Sequence, residues 1–207
     1  AAPLIDRLRK YDDNEWCLRL ADAIQAIADI DSFMEERAMR IAISGAASLD
    51  DKMIVAEMQE NLMKHFPPGR ELYPFQYVGV QFAQLAGGRC LIGDDMGIGK
   101  TIQALAHIAL NQHQLPALII CPASVKYNWL KEAKGWLPNL TSSVVEGRSK
   151  GEIPDTDIVI CNYDIISGRM NQLLDNKFNI VVCDESHYLK NGKAKRTEAT
   201  LTVAYQS

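Results

Sequence analysis

The chain has 207 residues, 47% of them hydrophobic and 23% charged, a globular balance that excludes a disordered chain. Its formal net charge of −4 excludes a polybasic nucleic-acid coat but leaves room for a local basic track. All of that acidity lies in residues 1–70, with 9 Lys and Arg against 13 Asp and Glu, whereas residues 71–207 carry 13 of each.

The first third reads as helices. Leu20, Ile24, Ile27 and Ala28 recur at helical spacing, with Asp22 and Asp29 off that stripe. Ser32 to Glu35 has capping-box spacing and opens a run to about Ile43, which Gly45 stops. Ser48 to Asp51 opens another, with Ile54, Met58 and Leu62 on one face. Met34, Met39, Met53 and Met58 read as core filler. Pro67-Pro68-Gly69 then breaks the chain, which places a helical N-terminal region over 1–66 and a second domain over 71–207.

Beyond the break, short apolar runs alternate with helical stretches. Strands are expected at Cys90–Gly93, Ala117–Cys121, Ser143–Val145, Asp157–Cys161 and Ile180–Cys183, and helices at Thr101–Asn111 and Val125–Trp136. Such alternation predicts an α/β fold with a mostly parallel sheet covered by helices on both faces. Four of the five cysteines (Cys90, Cys121, Cys161, Cys183) sit in apolar runs and none has metal or redox-pair spacing, so they read as reduced, buried thiols. With no membrane-length apolar run and no signal peptide, an intracellular protein is expected, cytoplasmic in a bacterial or viral source and nuclear in a eukaryote. The lack of an initiator Met suggests a fragment.

Two segments carry chemistry. Gly93-Asp-Asp-Met-Gly97-Ile98-Gly99-Lys100-Thr101 follows an expected strand and opens an expected helix, the setting of a phosphate loop. Glycines let backbone N–H groups converge on an anion, Lys100 reaches the β- and γ-phosphates, and the Thr101 hydroxyl suits Mg²⁺. The strict G-x-x-x-x-G-K-T pattern fails at its first position, which is Asp94. The second segment is Ile180-Val-Val-Cys-Asp184-Glu185-Ser-His187, an apolar strand closed by two acids. The first acid suits Mg²⁺ and the second suits a water-activating base. A glycine turn with a surface lysine and a strand ending in solvated acids are the plainer readings; the pairing of the two segments counts against both.

Together these segments resemble the Swi/Snf branch of helicase superfamily two, whose first motif commonly reads D-E-M-G-L-G-K-T. Here it is Asp94-Asp-Met-Gly-Ile-Gly-Lys-Thr101, and the departure at Asp94 is one the family shares. Asp184-Glu-Ser-His187 followed by Tyr188-Leu-Lys-Asn191 resembles most the fork-remodelling, strand-annealing subgroup. The resemblance covers 71 to about 200 and implies a first RecA-like lobe that binds ATP and Mg²⁺, with Lys100, Asp184, Glu185 and His187 in catalysis and the loop Gly97, Ile98, Gly99, Lys100 and Thr101 around the phosphates. It implies that Gln76, in Leu72-Tyr-Pro-Phe-Gln76, reads the adenine edge. Ser124 and Lys126, after Cys121-Pro122, and Asn162, in Asn162-Tyr-Asp164, would lie along a DNA strand. Ser124 also reads as a helix N-cap.

The expected partner is double-stranded or forked DNA, with a second lobe absent from this chain and a protein partner open to the acidic N-terminal helices. Without that lobe's arginine, worth ~10³–10⁵ in turnover, the chain alone is expected to bind ATP weakly and hydrolyse little. A catalytically idle nucleotide-binding module and another phosphate-loop enzyme such as a kinase are the competing readings. Blander roles fit other residues: Trp129 and Trp136 as packing, His107 as a partly buried helix residue, His65 and His113 as surface loop residues, and Lys190, Lys193, Lys195 and Arg196 as a solvated basic face.

Overall fold

The computed structural model describes residues 49–94, 97–147 and 151–205, with side chains from residue 56 onward. The expected helices before residue 48, and Met34 and Met39, lie outside these. Two compact units divide the chain. One holds residues 49–59 and 73–98 of the described region, and the other holds 60–72 and 99–205.

Helix α1 runs Leu49–Met63. Met58 and Leu62, one turn apart, are buried as expected. The chain then turns through Pro67 and Pro68, neither of which continues a helix readily. In the smaller unit, α2 covers Pro74–Leu85, with Pro74 at its first position, where a missing N–H loses nothing. The expected strand Cys90–Gly93 does not form: those residues are irregular, and Leu91 is largely exposed. A strand exists only where a partner completes its ladder, and this run has none among the described residues.

The larger unit is an α/β sandwich. Helices α3 (Lys100–Leu110), α4 (Lys126–Trp136), α5 (Tyr163–Asp175) and α6 (Lys195–Tyr205) accompany strands β1 (Ala117–Cys121), β2 (Ser142–Val144), β3 (Ile158–Asn162) and β4 (Ile180–Cys183). All pairings are parallel and the order is β2-β3-β1-β4. The crossovers β1–α4–β2 and β3–α5–β4 run in opposite directions along the sheet. Right-handed crossovers of opposite sense place α4 and α5 on opposite faces.

Strand alternation agrees. Leu118, Ile120, Val159 and Cys161 share one buried cluster with Ile166 and Leu173 of α5 and Ala199 and Val203 of α6. The intervening Ile119 and Ile160 serve the other face, against which α4 packs its stripe of Trp129 and Ala133. Every residue of β1 and β3 is buried, as parallel central strands require. The two edge strands differ from them: β2 is half-buried throughout, and in β4 only Ile180 is buried. Among the described residues, no helix is long and apolar enough to cross a membrane.

Candidate active site

The parallel register gathers three strand ends at one edge. Cys121 lies opposite Asn162, and Ile120 opposite Cys183. Asn162 and Asp184 therefore stand on either side of the end of β1, about 10 Å apart at two strand spacings. Ligands of open α/β sheets bind along such carboxyl edges.

Asp184 is fixed from three directions. Its N–H donates to the Ile120 carbonyl at 2.8 Å, extending the ladder one residue past β4. Its own carbonyl accepts the Tyr163 hydroxyl at 2.8 Å. Because Cys183 joins the α5 cluster, alternation sends the Asp184 side chain to the α4 face. There its Oδ2 accepts the indole N–H of Trp129 at 2.8 Å. The next residue, Glu185, turns the corner in a left-handed conformation, φ 52° and ψ 51°. A non-glycine residue there costs about 1 kcal/mol or more, and such strain gathers at functional corners. The turn leaves Glu185 exposed, with its Oε2 3.1 Å from Nδ1 of His187. His187 tilts against Tyr188, which stacks on Tyr163 at 5.3 Å and lies under the Arg196 guanidinium.

The loop between Gly93 and Lys100 turns at Gly97 and Gly99, with φ of 85° and 87°. Only glycine takes these angles without strain. Gly99 is the N-cap of α3, so Lys100 and Thr101 form its first turn, where N–H groups point outward. In the smaller unit, Gln76 is 3% exposed and braces that loop: its Nε2 donates to the Ile98 carbonyl at 2.8 Å. Its Oε1 accepts the Tyr73 N–H at 2.9 Å, which closes the start of α2.

The residues expected along DNA differ in setting. Ser124 is exposed in a single 3₁₀ turn, Ala123–Val125. It is not a helix N-cap: Val125 holds that position of α4 and no side chain caps it. Lys126 pairs with Glu146 Oε2 at 3.0 Å, and the Tyr127 hydroxyl donates to the other oxygen of that carboxylate. The Tyr127 hydroxyl, then the Lys126 ammonium, hold the Glu146 carboxyl below its ordinary value. Asn162 is buried, with its Nδ2 3.4 Å from Asp164 Oδ2. Lys190, Lys193 and Lys195 are exposed, whereas Arg196 donates to the Tyr188 carbonyl.

Two residues were missed by motif reading. Trp129 packs as expected, at 3% exposure, but also binds the first acid. Arg169 is 1% exposed and donates to the carbonyls of Glu146, Gly147 and Gly151, holding the segment after β2. His65 is half-buried and hydrogen-bonded to Gln112 rather than a free surface residue.

The donors present suit Mg²⁺ brought with a nucleotide. Among the described residues, no group of three or more His, Cys, Asp or Glu could hold a metal alone. A carboxylate and a hydroxyl are hard oxygen donors, and Mg²⁺ commonly takes one or two carboxylates plus substrate phosphates. Asp184 and Thr101 are therefore the fitting residues, and Trp129 occupies only one of the two Asp184 carboxylate oxygens.

A glycine-turned loop that opens a helix, and paired acids at the edge of a parallel sheet, define the class of phosphate-loop α/β domains. Within that class the chain belongs to the family described as the SNF2-related domain, whose family model matches residues 23–207. The match begins well inside the N-terminal third, where the motifs themselves show no resemblance. The chain is 34% identical to the DNA annealing helicase and endonuclease ZRANB3 of Mus musculus over 145 residues, 66% of this chain and 14% of that protein. To the SWI/SNF-related matrix-associated actin-dependent regulator of chromatin subfamily A-like protein 1 of Xenopus laevis it is 31% identical over 208 residues, 94% of this chain and 21% of that protein. The Sulfolobus solfataricus SWI2/SNF2 ATPase core, solved in complex with dsDNA, matches with a TM-score of 0.54 and 31% identity, over 63% of this chain and 29% of that one. The chain thus spans about a seventh to a fifth of the curated relatives' length.

Proposed function

We propose that this chain is the first ATP-binding lobe of a DNA-dependent ATPase that moves along double-stranded or forked DNA. The observation that carries the reading is the shared carboxyl edge. The same parallel register sets the Asp184-Glu185 pair beside the strand end that leads to Ser124 and Lys126.

Lys100 and the first turn of α3 hold the nucleotide's phosphates, and Gln76, hydrogen-bonded to Ile98, is the residue that the family resemblance assigns to adenine. Thr101 and Asp184 would hold Mg²⁺, which would supply charge neutralisation to the nucleotide's phosphates. Glu185 orients the attacking water and accepts its proton, with His187 steadying the carboxylate. Ser124 and Lys126 face the DNA track, and Asn162, buried at the end of β3, is the third residue that the resemblance assigns to it. In this reading a second lobe supplies the charge that completes turnover, so the chain alone binds ATP weakly and hydrolyses little.

The test is ATP turnover by the full-length parent, with and without double-stranded DNA. Wild type is expected to be stimulated by DNA. Lys100→Ala is expected to abolish turnover, and Glu185→Gln to slow it by ~10²–10⁴ while nucleotide still binds. A two-lobed parent with no DNA-stimulated turnover would reject the motor and leave a nucleotide-binding module.

A further inference from the structure

We propose that Trp129 is a positioning residue for the magnesium ligand Asp184, setting the carboxylate's orientation through its indole N–H. The inference rests on the ATPase reading above. Trp129 is almost wholly buried on α4, and a buried indole N–H needs an acceptor. The acceptor it finds is a carboxylate oxygen at 2.8 Å, 55 residues away in sequence.

The backbone of Asp184 is already fixed by Ile120 and Tyr163, so its side-chain torsion is what remains to be set. Tying Oδ2 to the indole would leave Oδ1 as the oxygen available to the metal. Hydrogen-bond partners of this kind tune metal sites, and their loss commonly lowers metal affinity by 10–100-fold. Trp129 lies one turn beyond Lys126 on the same helix, so a shift of that helix start moves the group that orients the metal ligand.

The experiment titrates MgCl₂ into the 207-residue chain with mant-ATP and follows nucleotide anisotropy. In wild type, MgCl₂ is expected to tighten binding relative to EDTA. Trp129→Phe keeps a buried ring and deletes the N–H. It is expected to raise the MgCl₂ half-saturation by about tenfold, with the affinity in EDTA within about twofold of wild type. A packing role alone would not split these two readouts. Wild-type half-saturation in the variant overturns the proposal and leaves the ATPase reading intact. Absence of any Mg²⁺ response in wild type overturns both.

Should Trp129→Phe fail to fold, the indole signals of the native chain decide. Its three tryptophans are Trp16, Trp129 and Trp136, and Trp16→Phe and Trp136→Phe assign them. The Trp129 N–H resonance is expected to move on addition of MgCl₂ with ATP, and to lose that response in Asp184→Ala. A resonance indifferent to both overturns the proposal.

Discussion

Arg169 shows how much one side chain can hold. Its guanidinium spreads donors over the carbonyls of Glu146, Gly147 and Gly151, and over Gln172 on its own helix. Removing it leaves buried acceptors without partners, so Arg169→Met is expected to destabilise the chain by about 2–4 kcal/mol in urea unfolding. Arg169→Lys should recover little of this, because an ammonium lacks the planar fork that reaches several carbonyls. A loss below about 1 kcal/mol for both would refute that role. At the same scale, Gly97→Ala meets no neighbouring atom, since a Cβ there has open space. Its expected cost of about 1 kcal/mol is backbone strain at φ 85° alone. Thermal unfolding of the variant should show that small loss together with weakened mant-ATP binding.

At the scale of elements, helix α3 carries a built-in acid sensitivity. His107 lies half-buried on α3, and its Nδ1 has no hydrogen-bond partner among the described residues. Burial lowers its pKa from the ordinary 6.5, so the folded chain keeps the ring neutral. Well above pH 6.5 both states are neutral and stability is complete. As pH falls below 6.5 the unfolded chain takes the proton first, and stability drops until the folded ring also protonates. His107→Leu is expected to flatten that decline below about pH 6.5, read as melting temperature against pH. An unchanged slope would place the acid sensitivity elsewhere. The strands make a different point. Ala117–Cys121 and Ile180–Cys183 form where expected, because their β-branched runs are bounded by chain breaks and find parallel partners. Cys90–Gly93 is as apolar but remains irregular, since ladder pairing is a property of two segments.

For the molecule as a whole, the cysteines report the core. Burial is the main cause that pushes the Cys121 and Cys161 thiols up to about 12, and both side chains are inaccessible in the sheet. Neither should react with iodoacetamide at pH 8 until the chain is unfolded. Folding also withholds their ionisation, so stability is complete below the unfolded thiol value near 9 and is lost as pH rises from there toward 12. Mass mapping of labelled peptides, with and without urea, checks the first point. Labelling of Cys161 in the native chain would contradict it.

The sequence by itself determined the chemistry-bearing segments. Lys100 and Thr101 follow a glycine turn within a few residues, and Asp184 and Glu185 are neighbours, so covalent spacing alone holds each group together. It also determined the parallel α/β class, because buried strands and amphipathic helices leave their own periodicities. Tertiary structure alone decided what surrounds those groups. Trp129 reaches Asp184 across 55 residues and Arg169 reaches Glu146 across 23. Nothing in local spacing marks either pair, since each exists only because strand order and alternation turn the two side chains toward one another. The edge position of β4 was settled the same way, by which strands found partners rather than by the residues of β4 itself.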